Sequence, residues 1–166
     1  YACLSNSLMF KEPQIPAYNQ EDITKYFQTH SFNTLDSLIS YINGLKNDID
    51  KLFAIFSWEA MNIKYDVEAL LTGEQRDKSL EAIFANKAAV CEGYCLFFRE
   101  MVNKTNIDHR RVKVRNYYSY AKPYNYDPNN IPTEVDPNHC SLFIQIDYIP
   151  YISDPSRAAG YLTSEN

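Results

Sequence analysis

The chain has 166 residues and a formal net charge of −5, with 45% hydrophobic and 22% charged residues. This composition favours a folded domain with a packed core over a disordered tail, and the acidic balance argues against binding nucleic acid or anionic membranes through basic charge. The longest apolar runs, such as LFAIF at 52–56, are far shorter than the ~20 residues of a membrane-spanning helix, so we expect no membrane insertion.

We expect one domain over residues 1–166, in which residues 1–19 form an extended lead-in containing two prolines. Because the first residue is Tyr1 rather than methionine, we interpret the sequence as an excerpt of a longer protein or as a mature form. No signal-peptide pattern lies near the start, and four cysteines are too few for a disulfide scaffold. We therefore predict reduced thiols and a cytoplasmic location, although a targeting segment removed earlier is compatible with the sequence.

Hydrophobic spacing predicts helices through the first two thirds of the chain. The predicted segments are 21–29, 33–45, 47–63, 78–87 and 90–104. In the second of these, Asn33 or Thr34 is the expected N-cap and Gly44 lies near the end. In the third, Asp48 or Asp50 suits the positive end of the helix dipole.

The pattern changes after residue 109. Charged and apolar residues alternate over 110–118, which is typical of a half-buried strand, and 119–138 is interpreted as a long loop with four prolines. A second strand is predicted over 140–149, and 151–154 begins a third after a turn at Ile149-Pro150. Helices followed by antiparallel strands favour the α+β class over a doubly wound parallel sheet.

Cys91 stands at the start of the last predicted helix, where backbone N–H groups and the helix dipole favour a thiolate. His139 opens a strand directly after the long loop, and the predicted turn brings Asp154 beside it from the neighbouring strand. Taken singly, a free cysteine is more often a buried small hydrophobe, and an aspartate before proline is usually a turn residue. Cysteine, histidine and aspartate in this chain order nevertheless form the acyl-transfer arrangement of the papain-like type.

Four segments together resemble the transglutaminase-like superfamily, closest to its kyphoscoliosis-peptidase type. They are IFSWEAMNIKYDVEAL, AVCEGYCLFF, NHCSLF and YISDPSRAAGY, and the resemblance covers roughly residues 33–162. It implies a papain-like α+β fold in which the cysteine helix packs on an antiparallel sheet. It also implies that Cys91 is the nucleophile, His139 the base, and Asp154 the residue that orients His139.

The sequence departs from the family pattern around these residues. His139 is followed by Cys-Ser-Leu instead of Ala-Trp-Asn, Asp154 is followed by no nearby tryptophan, and Ala89 stands where the family often has glycine. The three triad positions are kept while their aromatic surroundings are not. Substrate specificity is therefore the property that the resemblance defines least.

Other residues of the matching motifs have two interpretations each. The Trp58 indole N–H is a tentative donor to the oxyanion of acyl transfer, and the alternative is a core anchor at helical spacing. The backbone N–H of Cys91 is a second candidate donor. We expect Gly93 to allow close packing of the cysteine helix, and Tyr94 to pack in the core.

A zinc site is one rival interpretation, because Cys91, Cys95, His139 and Cys140 are ligand types that zinc prefers. Neighbours on a strand point to opposite faces, so His139 and Cys140 are poorly placed to share one ion. Cys91 and Cys95 are also poor disulfide partners, since helix positions four apart hold their Cβ atoms ~5–6 Å from each other. Cys95 is most simply a packed core thiol.

Nucleic-acid binding is a second rival. Arg111, Lys113 and Arg115 share a strand face and precede a run of tyrosines at 117–126, a combination that can form a stacking platform. The acidic balance favours a solvated strand face instead. A third rival is a transglutaminase-like domain that is catalytically weak or inactive and serves as a protein-interaction scaffold.

The sequence thus predicts cysteine-dependent acyl transfer on a protein or peptide substrate, through a thioester and a Cys91-His139-Asp154 triad. Peptidase, deamidase and transglutaminase activities remain open, as does the oligomeric state. We expect no cofactor, no metal and no nucleic-acid partner, and we find no carboxylate-rich calcium loop.

Overall fold

The computed structural model describes residues 20–121 and 136–159. The helices of these residues are α1 Gln20–Thr29, α2 Leu35–Asn43, α3 Asp48–Asn62, α4 Val67–Thr72, α5 Leu80–Asn86, α6 Cys91–Lys104 and α7 Pro155–Ala158. The strands are β1 Lys64–Tyr65, β2 Ala88–Ala89, β3 Val112–Ser119, β4 His139–Ile146 and β5 Ile149–Ser153. Mixed helix and sheet confirm the predicted α+β class.

The five predicted helices correspond to α1, α2, α3, α5 and α6. Thr34 is the N-cap of α2 and accepts a hydrogen bond from the Ser37 N–H, and Gly44 follows the last turn. Asp48 and Asp50 lie in the first turn of α3, but the cap is Asn47, whose side chain accepts from the Asp50 N–H at 2.8 Å. The predicted lead-in 1–19 and most of the predicted loop lie outside the described residues.

β3, β4 and β5 form an antiparallel sheet in that order. The turn between β4 and β5 is at Asp147 and Tyr148, so the predicted turn at Ile149-Pro150 is wrong by two residues. Both turn residues have positive φ, 48° and 70°, as a tight two-residue hairpin turn requires. Pro150 instead lies in β5, where an edge strand tolerates its missing N–H.

The short strands β1 and β2 form a parallel pair that spacing alone did not predict. Asp66 N–H donates to the Ala89 carbonyl at 3.0 Å, and Tyr65 lies opposite Ala89. The pair joins the end of α3 to the residues that precede α6. Gly93 allows this close approach, as predicted, because a Cβ there would lie 2.8 Å from the Ala89 Cβ.

α6 runs through the centre of the domain and contacts α3, α5, β3 and β4. Its buried side chains include Phe97, Phe98 and Met101, and the Tyr94 hydroxyl donates to the Ile63 carbonyl at 2.5 Å. The cysteine helix therefore packs on the antiparallel sheet, and Tyr94 packs in the core, as predicted. Within the described parts of the chain, no helix has the length and apolarity needed to cross a bilayer.

Candidate active site

Cys91 is the first residue of α6 and is half-buried. The N-cap before it is Val90, which offers no side-chain oxygen to the N–H groups of the first turn. The thiol thus sits at a helix start whose N–H groups are not occupied by a side-chain cap. Such an end favours an anion, and the thiolate is the nucleophilic form of cysteine.

His139 opens β4 and Asp154 directly follows β5, so both lie at the open end of the β4–β5 hairpin, where their side chains meet. His139 Nε2 lies 2.6 Å from Asp154 Oδ2. The other carboxylate oxygen, Oδ1, accepts hydrogen bonds from the Ser156 hydroxyl at 2.8 Å and the Arg157 N–H at 3.1 Å. Asp154 is thereby fixed as the N-cap of α7, and His139 Nδ1 is the ring nitrogen left for another partner.

Tyr65 lies beside the start of the cysteine helix. It is paired with Ala89, two residues before Cys91, and its ring packs against that of Tyr94 in α6. Burial first, and then the closeness of Cys91, raise the pKa of Tyr65 to about 12. Charges on Cys91 and on Asp154 thus act on the same tyrosine hydroxyl, and His139 contacts the carboxylate of that Asp154.

Residues 33–122 match a family model described as a transglutaminase-like domain. This match covers more than half of the chain. The chain belongs to this family. The searches of curated proteins and of solved structures gave no match.

The matched region of the transglutaminase-like domain contains Trp58, Tyr65 and Cys91, and it ends before His139 and Asp154. The family assignment therefore supports the position of the cysteine helix, and the contact between His139 and Asp154 rests on the structure. The match does not single out the kyphoscoliosis-peptidase type. The catalytic roles of the three residues stay a prediction.

Trp58 lies in the core of the domain and is 2% exposed. Its ring stacks between Phe84 and Phe97, with centroid distances of 5.3 and 5.4 Å, and the Lys87 ammonium lies 4.2 Å from its centroid. This environment favours the core anchor over the oxyanion donor. Tyr65, in the sequence motif NIKYD, was not singled out from the sequence, because its closeness to Cys91 follows only from the β1–β2 pair.

The thiols of Cys95 and Cys140 are buried. Hydrogen bonding with Cys140, followed by burial, raises the pKa of Cys95. Cys95 is thus a packed core thiol, as predicted. In the residues that the structure covers, no three His, Cys, Asp or Glu side chains are grouped to hold a metal, so the four zinc candidates are not brought together.

Glu92 anchors the first turn of α6 on its exposed side. It forms an ion pair with Lys78 and accepts a hydrogen bond from the Tyr118 hydroxyl at 2.8 Å. These two hydrogen bonds lower the pKa of Glu92. One member of the predicted tyrosine run thus serves to hold the cysteine helix against β3.

Arg111, which directly precedes β3, is paired with acidic side chains of its own chain. Arg111 donates to both oxygens of Asp147, at 2.8 and 2.5 Å, and also lies 3.9 Å from Asp48. This pairing leaves less free positive charge for a phosphate backbone. It favours the solvated strand face over nucleic-acid binding.

A cavity of about 210 Å³ lies beside the start of α6. Its apolar wall includes Leu70, Ile83, Ala89, Val90 and Gly93. The volume is below the ~300–1,000 Å³ of pockets that hold drug-sized ligands. It has the scale of a single side chain.

Proposed function

We propose that this transglutaminase-like domain catalyses acyl transfer on a protein or peptide substrate through a thioester on Cys91. The observation that carries the proposal is the 2.6 Å contact between His139 Nε2 and Asp154 Oδ2, which leaves Nδ1 for the thiol. Asp154 orients the imidazole and stabilises its protonated form. The start of α6 supplies a backbone N–H beside the thiolate.

In the first half of the reaction, Cys91 gives its proton to His139 Nδ1 and the thiolate attacks an amide carbonyl carbon. A C–S bond forms and the carbonyl oxygen becomes an oxyanion. Collapse of this intermediate breaks the C–N bond, and the leaving amine takes the proton from His139. The enzyme is left as a thioester.

In the second half, a nucleophile attacks the thioester and loses a proton to His139. The C–S bond breaks, and the proton returns to Cys91 as the product leaves. Water as the acceptor gives a peptidase or a deamidase, and a lysine amine gives a cross-link. The resemblance to the kyphoscoliosis-peptidase type favours a peptide bond as substrate.

The cellular setting is part of the proposal. We propose a cytoplasmic location, with which the free thiols of Cys91, Cys95 and Cys140 are compatible.

The alternative function is an interaction domain with weak or no activity. Large apolar side chains of the β4–β5 hairpin favour it, because Tyr148 is 89% and Ile152 is 61% exposed. Exposed apolar side chains of this kind mark contact surfaces when they cluster. For such a domain, replacing Cys91 by alanine would leave its biological role intact.

The proposal is tested by acetylation with p-nitrophenyl acetate, followed by mass spectrometry of the protein. We expect an acetyl group on Cys91 that is absent in Cys91→Ala and forms much more slowly in His139→Ala. Added methylamine shows whether water or an amine resolves the thioester. Acetylation of Cys91 at the same rate in wild type and His139→Ala would contradict the proposed function.

A further inference from the structure

Tyr65 is held in place by contacts on several sides. The β1–β2 pair sets it opposite Ala89, two residues before Cys91, and its ring packs nearly parallel to that of Tyr94 at a centroid distance of 6.4 Å. The next residue, Asp66, caps α4 by accepting a hydrogen bond from the Ala69 N–H at 2.9 Å. The backbone on both sides of Tyr65 is therefore held in place.

The pairing with Ala89 and the packing on Tyr94 place the Tyr65 side chain beside the start of α6, where the nucleophile lies. Hydrogen bonds with both the side chain and the backbone of Cys91 act on the pKa of the Tyr65 hydroxyl. In a tetrahedral intermediate the oxyanion is bonded to the carbon that is bonded to Sγ, and the backbone N–H of the nucleophile is a usual donor to it. A second donor beside the same sulfur and the same backbone would reach the same oxygen.

We infer that the Tyr65 hydroxyl donates a hydrogen bond to the oxyanion of the tetrahedral intermediate, together with the backbone N–H of Cys91. The inference rests on the proposed function and adds a catalytic residue to it. The high pKa of Tyr65, caused mainly by burial, keeps the hydroxyl protonated in the pH range where a thiolate reacts.

Two other roles are possible for the same hydroxyl, and they have different consequences. A donor that served the resting thiolate would affect every reaction of Cys91. A hydroxyl that only supported packing against Tyr94 would affect stability and neither reaction. The three roles are separated by comparing a reaction that forms an oxyanion with one that does not.

The test therefore measures two rate constants for Cys91 in wild type and Tyr65→Phe. Acetylation by p-nitrophenyl acetate passes through an oxyanion, whereas alkylation by iodoacetamide is a direct displacement at carbon. We expect Tyr65→Phe to slow acetylation by ~10²–10³, the usual cost of one oxyanion donor, and to leave alkylation unchanged. Thermal unfolding of both proteins monitors the fold.

Tyr148→Phe is the matched control. It also removes a tyrosine hydroxyl, but Tyr148 is 89% exposed and lies at the turn of the β4–β5 hairpin, at the end away from His139 and Asp154. Both rate constants should stay at the wild-type values. If Tyr65→Phe slows both reactions equally or neither of them, the oxyanion role is wrong.

The two rate constants of the wild-type protein alone show whether the proposed function fails. In that case wild-type Cys91 reacts with neither reagent faster than a free cysteine in a peptide, and the inference falls with the proposal. A reactive wild-type Cys91 with a normal acetylation rate in Tyr65→Phe overturns the inference alone.

Discussion

At the scale of single residues, Glu59 is a buried ionisable side chain that has no role in the proposed mechanism. It lies in α3 and is fully buried, and neither carboxylate oxygen has a hydrogen-bond partner among the described residues. Burial raises the pKa of Glu59 well above its ordinary value. Burial therefore favours the neutral acid, and a charge on Glu59 would also raise the pKa values of Tyr94 and Cys95.

This raised pKa makes stability depend on pH. The folded chain holds the Glu59 proton to higher pH than the unfolded chain, whose glutamates titrate near ~4.3. The stabilising contribution is thus complete below that value and is lost as pH rises through the folded pKa. Glu59→Gln should remove this loss and raise the free energy of unfolding on the alkaline side.

Urea unfolding across a series of pH values measures the effect. Glu81→Gln, at an exposed position of α5, is the control and should keep the pH dependence of wild type. A wild-type pH profile in Glu59→Gln would show that Glu59 is not held neutral in the fold.

At the scale of elements, the contact between α6 and β2 sets the position of Cys91. A side chain at position 93 would meet Ala89 Cβ at 2.8 Å and Ile83 Cδ1 at 3.6 Å. Gly93→Ala should therefore push the start of α6 away from β2, costing about 1–3 kcal/mol by overpacking. We also expect slower alkylation of Cys91 by iodoacetamide.

The double variant Gly93→Ala with Ala89→Gly supplies the control for this contact. Removing the Ala89 Cβ relieves the clash, so the double variant should regain part of the free energy of unfolding and of the alkylation rate. If the change in the free energy of unfolding of the double variant equals the sum of the changes in the two single variants, the contact does not couple positions 89 and 93.

At the scale of the whole molecule, the candidate site joins residues from three parts of the chain. The start of α6, the start of β4 and the end of β5 could be predicted, because each is marked by a change in hydrophobic pattern or by turn residues. The contact between His139 and Asp154 depends only on the open end of one hairpin. The error of two residues in the position of the turn therefore did not affect the prediction of this contact.

Tyr65 and the burial of Glu59 could not be predicted for physical reasons. A strand of two residues such as β1 is too short to show alternation, and its pairing with β2 joins segments more than 20 residues apart. Glu59 lies in an amphipathic helix that several neighbours surround, so the sequence pattern gives it no sign of burial. Tertiary packing determines both the position of Tyr65 and the burial of Glu59.

The central claim is that His139 activates the thiol of Cys91, and the alkylation rate of Cys91 by iodoacetamide as a function of pH tests it most directly. The account predicts that wild-type Cys91 reacts well below about pH 8, near which a free thiol begins to ionise, and that His139→Ala loses this reactivity. A wild-type profile equal to that of a free cysteine in a peptide, or one unchanged by His139→Ala, would contradict it.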